Sequence, residues 1–221
     1  MIKETYKVQS IKKELCKEWL LYKHYAKRIP SIIYSFGLFE KNVLVGVLTI
    51  GNSPSKDLTH NVLNGLFVKN VFELNRLCVN GGFKKNVLSY FVASVLKKLP
   101  KPLVLVSYAD QSVGHNGYIY QATNWIYTGL SYKTKEWREI GTNKHSRNLC
   151  QQYSTKFMYD NPHRFERVDR PQKHRYIFFI GNKKQRKKMF KNLKYKVFPY
   201  PKGQNTNYDA SYKTTTQTEL F

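Results

Sequence analysis

The chemistry-bearing residues of this chain concentrate directly behind an apolar run. Leu103-Val104-Leu105-Val106-Ser107-Tyr108 is followed by Ala109-Asp110-Gln111-Ser112-Val113-Gly114-His115-Asn116-Gly117-Tyr118-Ile119-Tyr120. In open α/β sheets ligands bind beyond the carboxyl ends of the strands, so a site is expected here. Asp110 is of a type that takes a proton or ligates a metal, His115 titrates near neutrality, and Tyr118 and Tyr120 supply phenols. Each has a plain alternative as an ordinary turn or loop residue; their density points to function. A second pair, His24-Tyr25, is by itself more often structural than catalytic. A third group, Glu73-Leu74-Asn75-Arg76, interrupts an apolar run, and its polar side chains must face solvent or line a site, because unpartnered burial costs about 1–3 kcal/mol each. The turn that follows, Asn80-Gly81-Gly82-Phe83-Lys84-Lys85-Asn86, offers backbone N–H groups and two lysines to a phosphate, although no complete Walker or Rossmann fingerprint is present.

Positioning these groups requires a framework, and the apolar periodicity supplies one. Residues 11–26 carry Ile11, Leu15, Leu20 and Leu21 at helical spacing and end before Pro30, which predicts an amphipathic helix. Residues 31–39 and 43–50 read as an antiparallel hairpin, and 71–79 as a strand with one polar face. Residues 86–99 read as a helix, 103–108 as a buried strand, 116–125 as a short helix and 126–129 as a further strand. The order predicts a single α/β domain with a mixed central sheet and flanking helices. Composition changes near residue 135, so the expected division is a catalytic core over 1–135, a basic α+β extension over 136–202 and a flexible tail over 203–221. Within the extension, 176–180 reads as a strand and 183–193 as a basic helix.

The chain has 38 Lys and Arg against 14 Asp and Glu, a net charge of +24, and an aromatic share of 15%. That aromatic content excludes wholesale disorder, and the charge favours a polyanionic partner, nucleic acid above all. The stretch 183–196 holds eight basic residues in fourteen. Lys183, Lys184, Arg186, Lys187, Lys188 and Lys191 are expected on phosphates, because so one-sided a run repels itself unless a polyanion relieves it. No membrane-length apolar stretch or secretory signal is present, which predicts a cytoplasmic protein. Cys16, Cys78 and Cys150 are far apart and odd in number, and are expected as buried free thiols.

The blocks Tyr108-Ala109-Asp110, Gly114-His115, Gly117, Ile119-Tyr120-Gln121-Ala122, Asn124-Trp125 and Tyr127-Thr128-Gly129 together resemble the signature of the bacteriophage Mom-type adenine modification proteins. His24-Tyr25 and Glu73-Leu74 with Arg76 resemble that family's other two blocks, in the same order. The resemblance implies a fold similar to the GCN5-related N-acetyltransferases. It implies transfer of a carbamoylmethyl (acetamido) group to N6 of adenine in double-stranded phage DNA, which shields that DNA from host restriction inside the infected bacterium. It further implies an acyl-CoA donor and a single iron. On that resemblance His24, Tyr25, Asp110 and Tyr120 would hold the metal, and Asp110, Tyr120, Tyr25 and His115 would do the catalysis. The donor would lie on Arg76, Asn80, Gly81, Gly82, Lys84, Lys85 and Asn86. The two adjacent glycines depart from the spaced Gly-x-Gly of the acetyltransferases.

Adenine N6 is a poor nucleophile and is hidden in a duplex, so such an enzyme needs a base near N6 and a surface for the flipped nucleotide. Tyr118, Trp125 and Tyr127 are the expected stacking rings, with packing in the core as their plain alternative. Two other readings fit the residues: a non-catalytic, antirestriction DNA-binding protein, and an acetyltransferase acting on protein or tRNA. A homodimer is an open alternative to the monomer.

Overall fold

Alternating and continuous apolar runs in the first 130 residues generate most of one sheet. The computed structural model describes residues 2–142, 144 and 146–203. A short helix α1 (Ile2–Thr5) leads into β1 (Tyr6–Ser10), followed by β2 (Tyr34–Glu40), β3 (Val43–Asn52), α2 (Lys56–Asn61), β4 (Val71–Val79), α3 (Val87–Lys98) and β5 (Leu103–Asp110). Next come α4 (Tyr118–Ala122), β6 (Ile126–Leu130), β7 (Thr134–Glu139), α5 (Ser146–Gln152), α6 (Thr155–Asp160), β8 (Phe165–Arg170), β9 (Lys173–Ile180) and α7 (Lys183–Lys191). The central sheet has seven strands in the order β1-β2-β3-β4-β5-β9-β6. β1 to β4 pair antiparallel and β4 pairs parallel with β5, so the sheet is mixed, as expected.

The chain divides into two compact units, Met1–Gly129 with His174–Phe221, and Leu130–Lys173. This differs from the division at residue 135. β9 lies between β5 and β6, so the strand and the basic helix after it belong to the central unit rather than to an extension. The reason is burial: His-Arg-Tyr-Ile-Phe-Phe-Ile is apolar enough to fill an interior sheet position, with Tyr176 and Ile177 fully enclosed. The second unit pairs β7 with β8 and has its own core of Trp137, Leu149, Met158 and Phe165. Its strands read Thr-Lys-Glu-Trp-Arg-Glu and Phe-Glu-Arg-Val-Asp-Arg, too polar to register as strands by composition. The flexible tail expected over 203–221 falls outside the described residues except for Gly203.

Two local differences bear on the site. Residues 11–26 do not form one α-helix. They make a 3-10 turn at Lys13–Cys16 and a wide turn at Trp19–Lys23, which closes when the His24 amide donates to the Trp19 carbonyl, five residues back, at 2.9 Å. Such π-type turns insert one residue into the helical register and cluster at functional sites. The second is the β4–β5 pair. Their register is Val71 with Val104, Phe72 with Leu105 and Glu73 with Val106, and it extends no further. Beyond it the strands are joined by a side chain, the Ser107 hydroxyl donating to the Leu74 carbonyl at 2.7 Å.

Candidate active site at the parted ends of β4 and β5

β5 delivers Ser107 and Asp110 to the gap, and α4 delivers Tyr120. Ser107 Oγ and the Tyr120 hydroxyl are 2.6 Å apart in the interior. Asp110 ends β5 and caps the following turn: its Oδ1 accepts from the Ser112 amide at 3.0 Å and the Ser112 hydroxyl at 2.7 Å. The turn is fastened to β9 by Gln111, whose Nε2 lies 3.2 Å from His174 Nε2. The His115 amide donates to the Asp110 carbonyl at 3.1 Å, which folds the imidazole back toward the aspartate. The Asp110–His115 pair is thus built by local turn chemistry on a rigid strand end.

The wide turn after Trp19 brings the second cluster to the same place. The His24 and Tyr25 rings stack at 4.4 Å between centroids, and Tyr25 meets His115 edge-on at 5.7 Å. The His24 Nδ1 accepts from the Ala26 amide at 3.1 Å, which fixes the ring. Electrostatic influence confirms the grouping. Burial, then the positive charge of Arg76, then His115 lower the pKa of His24 to about 3. Burial and the Asp110 carboxylate raise that of Tyr25, with Arg76 opposing them. Burial lowers the pKa of His115, and Asp110 partly restores it. Burial pushes the Tyr120 phenol far above its ordinary value, against a smaller lowering by the Ser107 hydrogen bond. His24, Tyr25, Arg76, Asp110, His115 and Tyr120 therefore converge from positions 96 residues apart in sequence.

Near pH 7 the cluster holds two neutral imidazoles, two neutral phenols, one guanidinium and the Asp110 carboxylate. A neutral imidazole takes a proton, and a guanidinium stabilises developing negative charge. Sequence reasoning assigned Arg76 to a donor; the fold brings its charge close to His24 and Tyr25. It missed Ser107 and Ser112, which hold Tyr120 and Asp110, although Asp110-Gln111-Ser112 is a recognisable Asx-turn pattern. Lys23, next to His24 in sequence, is 4% exposed, donates to the Asn80 side chain and lies over the Trp19 ring.

The suppressed ionisation of His24 carries a stability consequence. The folded chain keeps it neutral down to about pH 3 while the unfolded chain protonates it near 6.5. Between those values the unfolded state binds more protons, so stability is full above pH 6.5 and falls as pH drops below it. Urea melts at pH 7.5, 6 and 5 should show this loss, at up to about 1.4 kcal/mol per pH unit from this residue. His24→Gln should flatten the acid limb; an unchanged slope would contradict the burial account.

Two assignments do not survive the geometry. Trp125 is completely buried and Tyr127 is 7% exposed, both in the main core, so neither ring can receive a flipped base. Their apolar bulk completes the interior between β9 and α4. Tyr118, at the start of α4, is 62% exposed and remains available. The residues assigned to iron are engaged with the protein itself: Asp110 Oδ1 accepts from Ser112, His24 Nδ1 accepts from the Ala26 amide, and the Tyr120 hydroxyl pairs with Ser107. Among the described residues no group of three or more His, Cys, Asp or Glu is placed to hold a metal ion.

The turn between β4 and α3 stands at the same end of the sheet. Gly82 has φ +82°, a conformation that favours glycine, and a side chain at Gly81 would meet nothing within 4 Å. Lys84 and Lys85 are exposed, while Phe83 packs edge-on against Tyr6. The Asn80 amide donates to the Val45 carbonyl at 2.9 Å, anchoring the turn to β3. On α7 all six expected basic residues are exposed, and Met189 anchors the helix in the interior. Cys16 and Cys78 are buried as expected, whereas Cys150 is exposed on α5, where its helix turns outward. No described helix is long and apolar enough to cross a membrane.

The methylcarbamoylase Mom of Escherichia phage Mu is 30% identical over 207 residues, covering 89% of this chain and 83% of that protein. An N-acetyltransferase from Staphylococcus aureus aligns over 79% of this chain and 98% of its own, with a TM-score of 0.44 and 14% identity. A putative acetyltransferase from Salmonella typhimurium, solved with acetyl-CoA, aligns over 80% of this chain and 95% of its own, with a TM-score of 0.45 and 10% identity. Those two likenesses are too loose to bear an inference. The model of the Mom protein family matches residues 5–202, nearly the whole described chain, and the chain belongs to that family.

Proposed function

We propose that this chain is a phage DNA-modifying transferase that adds a carbamoylmethyl (acetamido) group to N6 of adenine in double-stranded DNA, protecting that DNA from host restriction. The observation that carries the reading is the convergence of the three family-like blocks, His24-Tyr25, Glu73 to Arg76 and Asp110 to Tyr120, at one gap in the sheet. The name of the phage Mu relative, a methylcarbamoylase, supports transfer of a small amide-bearing group.

The target base leaves the duplex and stacks on the exposed Tyr118, which carries it toward the gap. His115, neutral through burial and held against Tyr25 and Asp110, takes one proton from N6 as the new bond to the incoming group forms. The donor's carrier departs with the electrons of the bond it loses. Asp110 stabilises the imidazolium that results, and Arg76 stabilises negative charge on the departing or carbonyl atoms. Tyr120, kept neutral by burial, serves as a hydrogen-bond donor rather than a base. A coenzyme A carrier fits the exposed turn at 80–86, where backbone N–H groups and Lys84 and Lys85 would meet its phosphates; the group must be joined to it through the methylene carbon, because an acyl thioester would deliver its carbonyl carbon instead.

DNA from cells expressing the protein, digested to nucleosides and analysed by mass spectrometry, should contain deoxyadenosine heavier by one carbamoylmethyl group. Unshifted deoxyadenosine, with folded protein present in the cells, would overturn the reading.

A further inference from the structure

Two grooves open on the central unit away from the reaction centre, and none of His24, Tyr25, Arg76, Asp110, His115 or Tyr120 lines either. The larger, about 1150 Å³, runs along α3 from Asn86 to Lys97 and is floored by Phe178 to Gly181 of the β9 end. The smaller, about 570 Å³, lies between β9 and α7. They share Asn124, Phe178, Phe179 and Arg186, so they form one continuous trough.

Its charge is one-sided. Lys3, Lys97, Lys101 and Arg186 border the larger groove, with Glu4 as the sole acid of its lining. Lys183, Lys187 and Lys191 border the smaller groove, which has no acid in its lining. These cations come from four separate segments, α1, the end of α3, the turn after it and α7, and every one is solvent-exposed. Convergence of that kind stores self-repulsion that a bound polyanion releases. A small anion reaches only one or two of them. The α3 wall from Asn86 to Lys97 is about 17 Å long at 1.5 Å per residue, room for a few consecutive phosphates of one duplex strand. Phe190, 56% exposed among the α7 cations, adds an apolar contact for sugar or base edges.

We infer that this trough is an exosite for the phosphodiester backbone of one DNA strand flanking the modified base. It adds Lys3, Lys97 and Lys101 to the binding surface and makes α7 one wall of it. The inference rests on DNA being the acceptor, as proposed above, and goes beyond it in saying where the duplex is held. The trough reaches Asn86, the last residue of the proposed donor turn.

The test is fluorescence anisotropy with a labelled duplex and the full chain, without donor, between 50 and 200 mM salt. Lys97→Glu with Lys101→Glu should weaken binding by about tenfold or more, and the neutral pair Lys97→Gln with Lys101→Gln by less. Each should make the salt slope shallower by about one unit per lost phosphate contact. Lys12→Glu with Lys13→Glu removes the same charge from exposed positions outside the trough and should change affinity only slightly. Equal losses in the two charge-reversed pairs would reduce the effect to net charge and overturn the exosite, as would unchanged binding in the trough variants. If wild-type protein modifies no adenine while the trough variants lose DNA affinity as stated, the function fails and the exosite stands.

Discussion

Asp110→Asn should lower DNA modification by about 10²–10⁴-fold, the range spanned by general acid–base groups, while leaving the melting temperature within a few degrees. The substitution is chosen because the asparagine carbonyl oxygen can still accept from the Ser112 amide and hydroxyl, so the cap on the turn survives and only the charge is lost. The carboxylate opposes the effect of burial on His115. Its removal should therefore carry the acid limb of the pH–rate profile to lower pH, a shift that a purely structural role for Asp110 would not produce. His115→Ala should cost as much, and the double variant little more, because the two act as one unit. Measured by nucleoside mass spectrometry, near-wild-type modification by Asp110→Asn would remove both residues from the mechanism. Protection from restriction that survives Asp110→Asn but is lost when the α7 lysines are neutralised would favour a protein that merely coats DNA.

Gly51→Ala should produce the largest stability loss, about 3 kcal/mol. A methyl group there would sit 1.9 Å from the Ser31 carbonyl oxygen and 3.0 Å from Asn75 Nδ2. Both neighbours are committed: Asn75 donates to that same carbonyl at 2.8 Å and accepts from Thr49 at 2.7 Å. Backbone cannot retreat as a flexible side chain can, so the segment 24–33 must move, and it carries His24 and Tyr25. Modification should fall at temperatures where the variant is still folded. Gly81→Ala is the stability control, since its side chain would enter open space. Urea midpoints that are equal for the two variants would refute the close approach.

Asn75 shows how far residue type alone carries an argument. Polar residues inside the β4 run demand partners, and that much is legible from 71–79. Which of them serves the site is not: Asn75 ties the sheet to Ser31, while Arg76 turns its charge to His24 and Tyr25. The same limit applies to the aromatic rings. Tyr118, Trp125 and Tyr127 look alike in sequence, yet one is exposed at the start of α4 and two are core, because which of them is covered depends on neighbours such as Tyr176 and Phe178 that β9 brings from about 50 residues away. β7 and β8 escaped notice for a related reason. Strands held in a small separate unit need only a few buried residues, so their charged faces dominate the composition.

From residue order alone came the apolar runs that make β2 to β6, the helix α3, the density of polar chemistry after β5, and the excess of cations. These are properties of neighbours along the chain, where short-range periodicity and turn chemistry decide. Only the tertiary structure decided that β9 enters between β5 and β6, that the β4–β5 ladder stops at Glu73 and Val106, and that His24 arrives beside His115 through a five-residue turn. It also joined lysines at positions 3, 97 and 191 into one trough. Each of these depends on contacts between residues tens of positions apart, whose free energy comes from burial of surfaces that no local pattern pairs.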